Sequence, residues 1–255
     1  MLKVTNLRKV YGSGDTATEA IADVSFEVAK GEFVCIVGPS GAGKTTLLKT
    51  VSGLMAPTAG EIELAGEKVA GPPERMALVF QDYSRSLYPW MKVGENVAFP
   101  MRRKKLSKAQ RNEIVEHAVE SVGLAGSIDK YPWQLSGGMQ QRTAICRALV
   151  HDPKIVLMDE PFGALDAMTR ERMNLELQRI HHETQKTILL ITHSIPEAVF
   201  LADRVVVMTE RPGSIAAIYD VPLARPRNLE MMGDPAFIAL SQTIRAHFYA
   251  RGHLD

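Results

Sequence analysis

Residues 32–46 read EFVCIVGPSGAGKTT. An apolar, β-branched run stops at a glycine, turns through two more, and meets Lys-Thr at the head of the helical run TLLKTVSG. That order constrains the fold more than any other stretch. The run does not alternate, so it predicts a strand covered on both faces, as in parallel sheets. Gly38, Pro39, Ser40, Gly41, Ala42, Gly43, Lys44 and Thr45 fit the pattern G-x-x-x-x-G-K-[ST] in its required strand-to-helix context, and Thr46 carries the loop into the helix. Glycines let successive backbone N–H groups converge on phosphate oxygens, and the following helix adds its positive end. Lys44 brings a mobile charge to the β- and γ-phosphates, and the Thr45 hydroxyl can ligate Mg²⁺. A nucleoside triphosphate such as ATP, with Mg²⁺, is the expected ligand.

Four more runs share this character: ALVFQ (77–81), KIVLMDE (154–160), TILLIT (187–192) and RVVVMT (204–209). Helical segments separate several of them. They predict an α/β fold, a P-loop NTPase core with a mainly parallel sheet. LKVTNLRKVY and ADVSFEV alternate in part and predict an N-terminal antiparallel β subdomain, which GEIELAG (60–66) joins. From about Ser84 to His151 no buried strand is apparent, so this stretch predicts an inserted helical subdomain. Within it Ser107 and Gln110 have capping-box spacing. Ile114, Val115, Ala118, Val119 and Val122 follow at helical spacing, and Gly123 is a C-terminal stop. Asp234-Pro235 opens a last helix with Phe237, Leu240, Ile244 and Phe248 on one stripe, expected by default to pack on the core, with a partner surface as the alternative. The domain division expected is an ATPase domain over 1–220, with the lobe at 84–151 inside it, and a helical extension over 221–255.

Charge excludes some functions. Thirty basic residues face 29 acidic ones, for a net charge of +1. No nucleic-acid partner is expected from that balance, and RRKK (102–105) reads as a solvated loop. Cys35 and Cys146 lie in apolar runs and read as buried, reduced thiols. No apolar run is long enough to span a bilayer.

The run IVLMDE ends in Asp159 and Glu160, at the strand end where α/β sheets place ligands. Neighbouring strand residues point opposite ways, so the pair can divide the work. Asp159 can hold the metal; Glu160 can orient or deprotonate an attacking water. His193 follows another strand and is either structural or a γ-phosphate contact. Gln81 ends ALVFQ; its neutral amide can touch water or metal, or be an ordinary polar strand end. LSGGMQQR (135–142) opens a second helix with glycines. Ser136, Gly137 and Gly138 there are either a plain cap or a second anion site.

The ordered set of phosphate loop, Gln81, LSGGMQQR, MDE, Ala164-Leu165-Asp166 and His193 resembles the ATP-binding cassette (ABC) ATPases over roughly residues 1–220. LSGGMQQR is similar to that family's signature sequence. The resemblance implies ATP hydrolysis with Glu160, His193 and Lys44 as catalytic residues, and Tyr11 stacking on adenine. It implies a homodimer in which Ser136, Gly137 and Gly138 of one copy complete the ATP site of the other, and Asp166 helps tie the sites together. SLYPWMKVGENVAF, MDEPFGALDAMTR and TERPGSI resemble the nitrate/sulfonate/taurine group of bacterial importers, although that group often has LLPW in place of SLYPW. The partners then implied are integral-membrane permease subunits, received near Pro89 and Trp90, and a periplasmic or extracellular solute-binding protein. The location implied is peripheral, on the cytoplasmic face of the inner membrane. The alternative is a soluble ABC ATPase not coupled to transport.

Overall fold

The computed structural model describes residues 1–81, 86–163 and 165–249. Ser84, Ala164 and the end of the expected extension, 250–255, lie outside the described residues.

Two sheets organise the chain. Strands β1 (Leu2–Tyr11), β2 (Thr18–Val28), β4 (Ala59–Leu64) and β5 (Glu67–Lys68) form an antiparallel sheet in the order β2-β1-β4-β5. The short β5 is an addition that the sequence pattern did not suggest. Strands β3 (Phe33–Val37), β6 (Met76–Val79), β7 (Ile155–Asp159), β8 (Thr187–Thr192), β9 (Arg204–Met208) and β10 (Ile215–Asp220) form the second sheet, ordered β10-β9-β3-β8-β7-β6. Its strands are parallel except β10, which runs antiparallel to β9 at the edge. The unbroken apolar runs of β3, β7 and β8 have the expected cause: every residue in these strands is buried. One face of β3 points Phe33, Cys35 and Val37 into the larger core. The other points Val34 and Ile36 into a second core shared with β1 and β2. Each such side chain contributes about 1.5–3 kcal/mol by leaving water.

Among the described residues no strand lies between 86 and 151. Instead there are α2 (Val93–Ala98), α3 (Lys108–Ser121) and α4 (Gly137–Leu149). The Ser107–Gln110 capping box is formed, Ser107 Oγ accepting from the Gln110 N–H at 3.2 Å and Gln110 Oε1 from the Ser107 N–H at 2.9 Å. Gly123 terminates the segment with φ +66°. The helical stripe is narrower than expected: Val115, Val119 and Val122 are buried, whereas Ile114 is exposed because its position falls on the solvent side of the turn. Arg102 to Lys105 are all exposed. Cys35 and Cys146 are free and buried, and burial pushes both thiols up, Cys146 to about 12.

After β7 come α5 (Ala167–Thr184), α6 (Ile195–Leu201) and α7 (Pro235–Tyr249). Phe237 and Ile244 of α7 are buried in the main core, with Leu240 and Phe248 packed beside them. The link before α7 is held by Arg227, which is buried and donates to the carbonyls of Val199, Phe200 and Ala202 at 2.8–3.1 Å. Those carbonyls end α6, so a cation satisfies helix-terminal acceptors that have no partner within the helix. Burial lowers the Arg227 pKa to about 10.

Candidate active site

The loop between β3 and α1 (Lys44–Val51) curls as its glycines require. Gly41 and Gly43 have φ of +80° and +83°. A Cβ at Gly43 would stand 2.6 Å from the Ala20 carbonyl oxygen, so no side chain fits there. Lys44 is buried, and its Nζ donates to the carbonyls of Gly38 (2.8 Å) and Pro39 (2.9 Å). Burial lowers its pKa, against the opposing pull of Glu160 and Asp159. A charge held this way is ready to exchange carbonyl partners for phosphate oxygens.

The loop floors a cleft of 340 Å³ lined by Tyr11, Lys44, Thr45, Thr46, Glu160 and Arg211, with Ser40 to Gly43 as its base. Tyr11 stands at the rim, its hydroxyl 3.1 Å from Thr46 Oγ1. Thr45 Oγ1 donates to Asp159 Oδ1 at 3.3 Å. Burial raises the Asp159 pKa, and the Thr45 hydrogen bond opposes it. A hydroxyl and a carboxylate side by side are hard oxygen donors suited to Mg²⁺, which takes one or two protein oxygens and fills its shell with phosphate and water. Among the described residues no group of three His, Cys, Asp or Glu could hold a metal without such additions.

Glu160 departs from the expectation that the strand pleat separates the two acids. Strand β7 ends at Asp159, and Glu160 sits in a turn with φ +42°. The Gly163 N–H closes that turn on the Glu160 carbonyl at 3.1 Å. A left-handed residue without a glycine is uncommon and costs roughly 1–3 kcal/mol. It aims the Glu160 carboxylate at two neighbours: Gln81 Nε2 and His193 Nδ1 each lie 3.3 Å from Oε2. Strand β6 likewise stops at Val79, so Gln81 reaches Glu160 from a loop and not from a strand end. The structure therefore gathers Lys44, Thr45, Asp159, Glu160, Gln81 and His193 at one mouth. Gln81 is tied to Glu160, and Thr45 to Asp159, by separate hydrogen bonds.

Ser136 to Gly138 are elsewhere. Ser136 caps α4, its Oγ accepting from the Met139 N–H at 3.4 Å, and both Ser136 and Gly137 are exposed. None of the three lines the Lys44 cleft. The rest of LSGGMQQR anchors the helix. Gln140 Nε2 donates to the Pro132 carbonyl at 3.0 Å, Arg142 to that of Val122 at 3.0 Å, and buried Gln141 to that of Pro161. Asp166 caps α5, accepting from the Thr169 N–H at 3.0 Å, and is exposed. The Thr169 hydrogen bonds hold its carboxyl below the usual range. Arg170 fixes the turn before it by donating to the carbonyls of Phe162 and Leu165. Sequence reading missed Gln141, Arg170 and Arg211. All three lay within stretches that the resemblance had singled out, Gln141 in LSGGMQQR, Arg170 in MDEPFGALDAMTR and Arg211 in TERPGSI, but nothing in those letters showed what each side chain touches.

Residues 21–163 match the family model described as ABC transporter. The chain belongs to that family. It is an ATP-binding ATPase cassette. It is 47% identical over 225 residues to the taurine import ATP-binding protein TauB of Roseobacter denitrificans, covering 88% of this chain and 83% of that one. It is 46% identical over 237 residues to the nitrate import ATP-binding protein NrtD of Synechococcus elongatus, covering 91% and 85%. Among solved structures it resembles the dimeric structure of MJ0796, a bacterial ABC transporter cassette. That match has a TM-score of 0.76 and 32% identity over 88% of this chain and all of that one. The TauB and NrtD relatives match the nitrate/sulfonate/taurine importer group that the sequence resembles.

Proposed function

We propose that the chain is the ATP-hydrolysing subunit of an importer. In this reading it dimerises on ATP to drive a small nitrate-, sulfonate- or taurine-like solute through separate permease subunits. One observation carries the dimer: the chain holds two anion-suited helix starts, and its Lys44 cleft lacks the Ser136–Gly138 mouth. A second copy, placed head to tail, supplies that mouth to each cleft, and ATP bridges the two. The dimeric relative supports this arrangement.

Each site residue then has a role. Backbone N–H groups from Gly38 to Thr46 bind the phosphates, Lys44 neutralises the β- and γ-phosphates, and Tyr11 stacks on the base. Thr45 and Asp159 would hold Mg²⁺, with the Gln81 amide oxygen as an added ligand, and the ion would offset charge on the phosphate chain. Glu160 takes a proton from the attacking water, and His193, 3.3 Å from its carboxylate, touches the γ-phosphate. Asp166 links the two sites across the dimer.

The permease is proposed to dock on the helical lobe. Trp90 and Trp133 are 68% and 64% exposed, unusually so for large apolar side chains. Tyr131 stacks on Trp133 with ring centroids 4.4 Å apart, and Tyr88 packs beside Trp90 at 5.6 Å. Buried Asn96 holds the Tyr88–Lys92 loop, bonding the Tyr88 N–H at 2.8 Å and the Met91 carbonyl at 3.0 Å. Among the described residues no helix is long and apolar enough to cross a membrane, so attachment to the cytoplasmic face of the inner membrane runs through the permease. A solute-binding protein delivers the solute from the other side. The proposed division keeps 1–220 as the ATPase domain, with the lobe inserted, and 221–255 as the extension. Uptake of labelled taurine and nitrate in a strain lacking the gene tests the function. Restoration by the wild-type chain and not by Lys44→Ala supports it; uptake undiminished by the deletion rejects it.

A further inference from the structure

We infer that Arg211 is an additional nucleotide-binding residue, one that grips the part of the phosphate chain common to ATP and ADP. This rests on the ATP-binding reading of the Lys44 cleft. Arg211 lies in the loop between β9 and β10, far along the chain from the phosphate loop. The loop is braced on both sides. Thr209 and Ser214 close it, the Thr209 N–H donating to the Ser214 carbonyl at 2.8 Å. Gly213 stitches it to β2: its N–H donates to Ala20 at 3.0 Å and its carbonyl accepts from Ala22 at 2.9 Å. A Cβ on Gly213 would stand 2.0 Å from the Ala42 carbonyl oxygen, so the loop backs directly onto the phosphate loop. These contacts deliver Arg211 into the cleft lining alongside Tyr11 and Lys44.

The guanidinium is only half engaged. Its Nε donates to the Glu19 carbonyl at 3.3 Å, and the terminal nitrogens have no hydrogen-bond or ion-pair partner among the described residues. Glu19 pairs with Val10, next to Tyr11, so Arg211 enters from the strand wall that carries Tyr11. Thr45 and Glu160 also line the cleft, and Thr45 bonds Asp159; the terminal phosphate would lie beside these carboxylates. A planar fork of donors held by one nitrogen and free at two suits bidentate contact with phosphate oxygens. Its position favours those nearer the sugar.

Isothermal titration with Mg²⁺-ADP and with a non-hydrolysable ATP analogue tests this on Arg211→Ala, Arg211→Lys and Lys44→Ala, each checked for an unchanged melting temperature without nucleotide. Arg211→Ala is expected to weaken both nucleotides by the same factor, about tenfold, at the low end for a charge-assisted contact because the side chain is exposed. Arg211→Lys should recover part of the loss, and added salt should shrink it. Wild-type affinity in Arg211→Ala, or a loss confined to the triphosphate, would overturn the inference while leaving the cleft reading intact. Undiminished binding by Lys44→Ala would instead defeat the cleft reading, and this inference with it.

Discussion

Gln141, wholly buried in the signature helix, donates its side-chain amide to the carbonyl of Pro161, in the turn just past Glu160. The relationship couples two parts of the site that face different directions. The exposed mouth at Ser136 starts the helix that Gln141 anchors, and the Glu160 turn sits on the other end of the hydrogen bond. The hydrogen bond thus ties the helix that Ser136 starts to the turn that carries Glu160.

Gln141→Leu keeps the size of the side chain and removes the donor. The Pro161 carbonyl is then left without its partner, which costs about 1–3 kcal/mol. Urea denaturation should show that loss. ATP turnover should fall further than single-chain ATP affinity, because the defect lies between the two half-sites. A variant as stable and as active as wild type would show that the hydrogen bond couples nothing.

Glu160→Gln should bind ATP and hydrolyse it about 10²–10³-fold more slowly, the usual loss for a key group at the transition state. With Mg²⁺-ATP, light scattering should report twice the 28.1 kDa of one chain. Turnover at the wild-type rate would remove Glu160 from the mechanism.

Asp159→Asn predicts opposite effects on stability and activity. Burial raises the Asp159 pKa above 3.8, so the folded state disfavours its ionised form. That cost is absent below the unfolded pKa and grows as pH rises through the folded value. Asparagine removes it, so the ligand-free variant should melt higher than wild type at pH 7, with the gain shrinking as pH falls towards 3.8. Mg²⁺-dependent hydrolysis should be lost. A lower melting temperature at pH 7 would mean the carboxylate is stabilising.

Much of this was legible because the chemistry is written in contiguous stretches. The phosphate loop lies between a strand and a helix that both announce themselves, and the α3 capping box spells out its own hydrogen bonds. The fully apolar runs made β3, β7 and β8 readable as doubly covered strands. What was not legible depends on turns and on distant packing. Glu160 owes its aim to a left-handed turn, not to the strand pleat, and nothing in the letters MDE marks that. Gln81 lies past the end of its strand for a similar reason: apolar character outlasts the ladder. Arg211 reaches the cleft only because Gly213 fits between β2 and the phosphate loop, a juxtaposition that sequence order hides.

Ser136→Arg should leave ATP binding by the single chain largely intact and abolish cooperative hydrolysis, since Ser136 is remote from its own cleft. ATP affinity and the Hill slope report the two effects separately. Equal loss of both would place Ser136 in its own chain's site.

The most direct measurement is a crystal structure of Glu160→Gln with Mg²⁺-ATP. The account predicts each γ-phosphate within about 3 Å of Ser136 Oγ or the Gly137 and Gly138 amides of the other copy. A γ-phosphate met only by its own chain, with that serine turned to solvent, would contradict it.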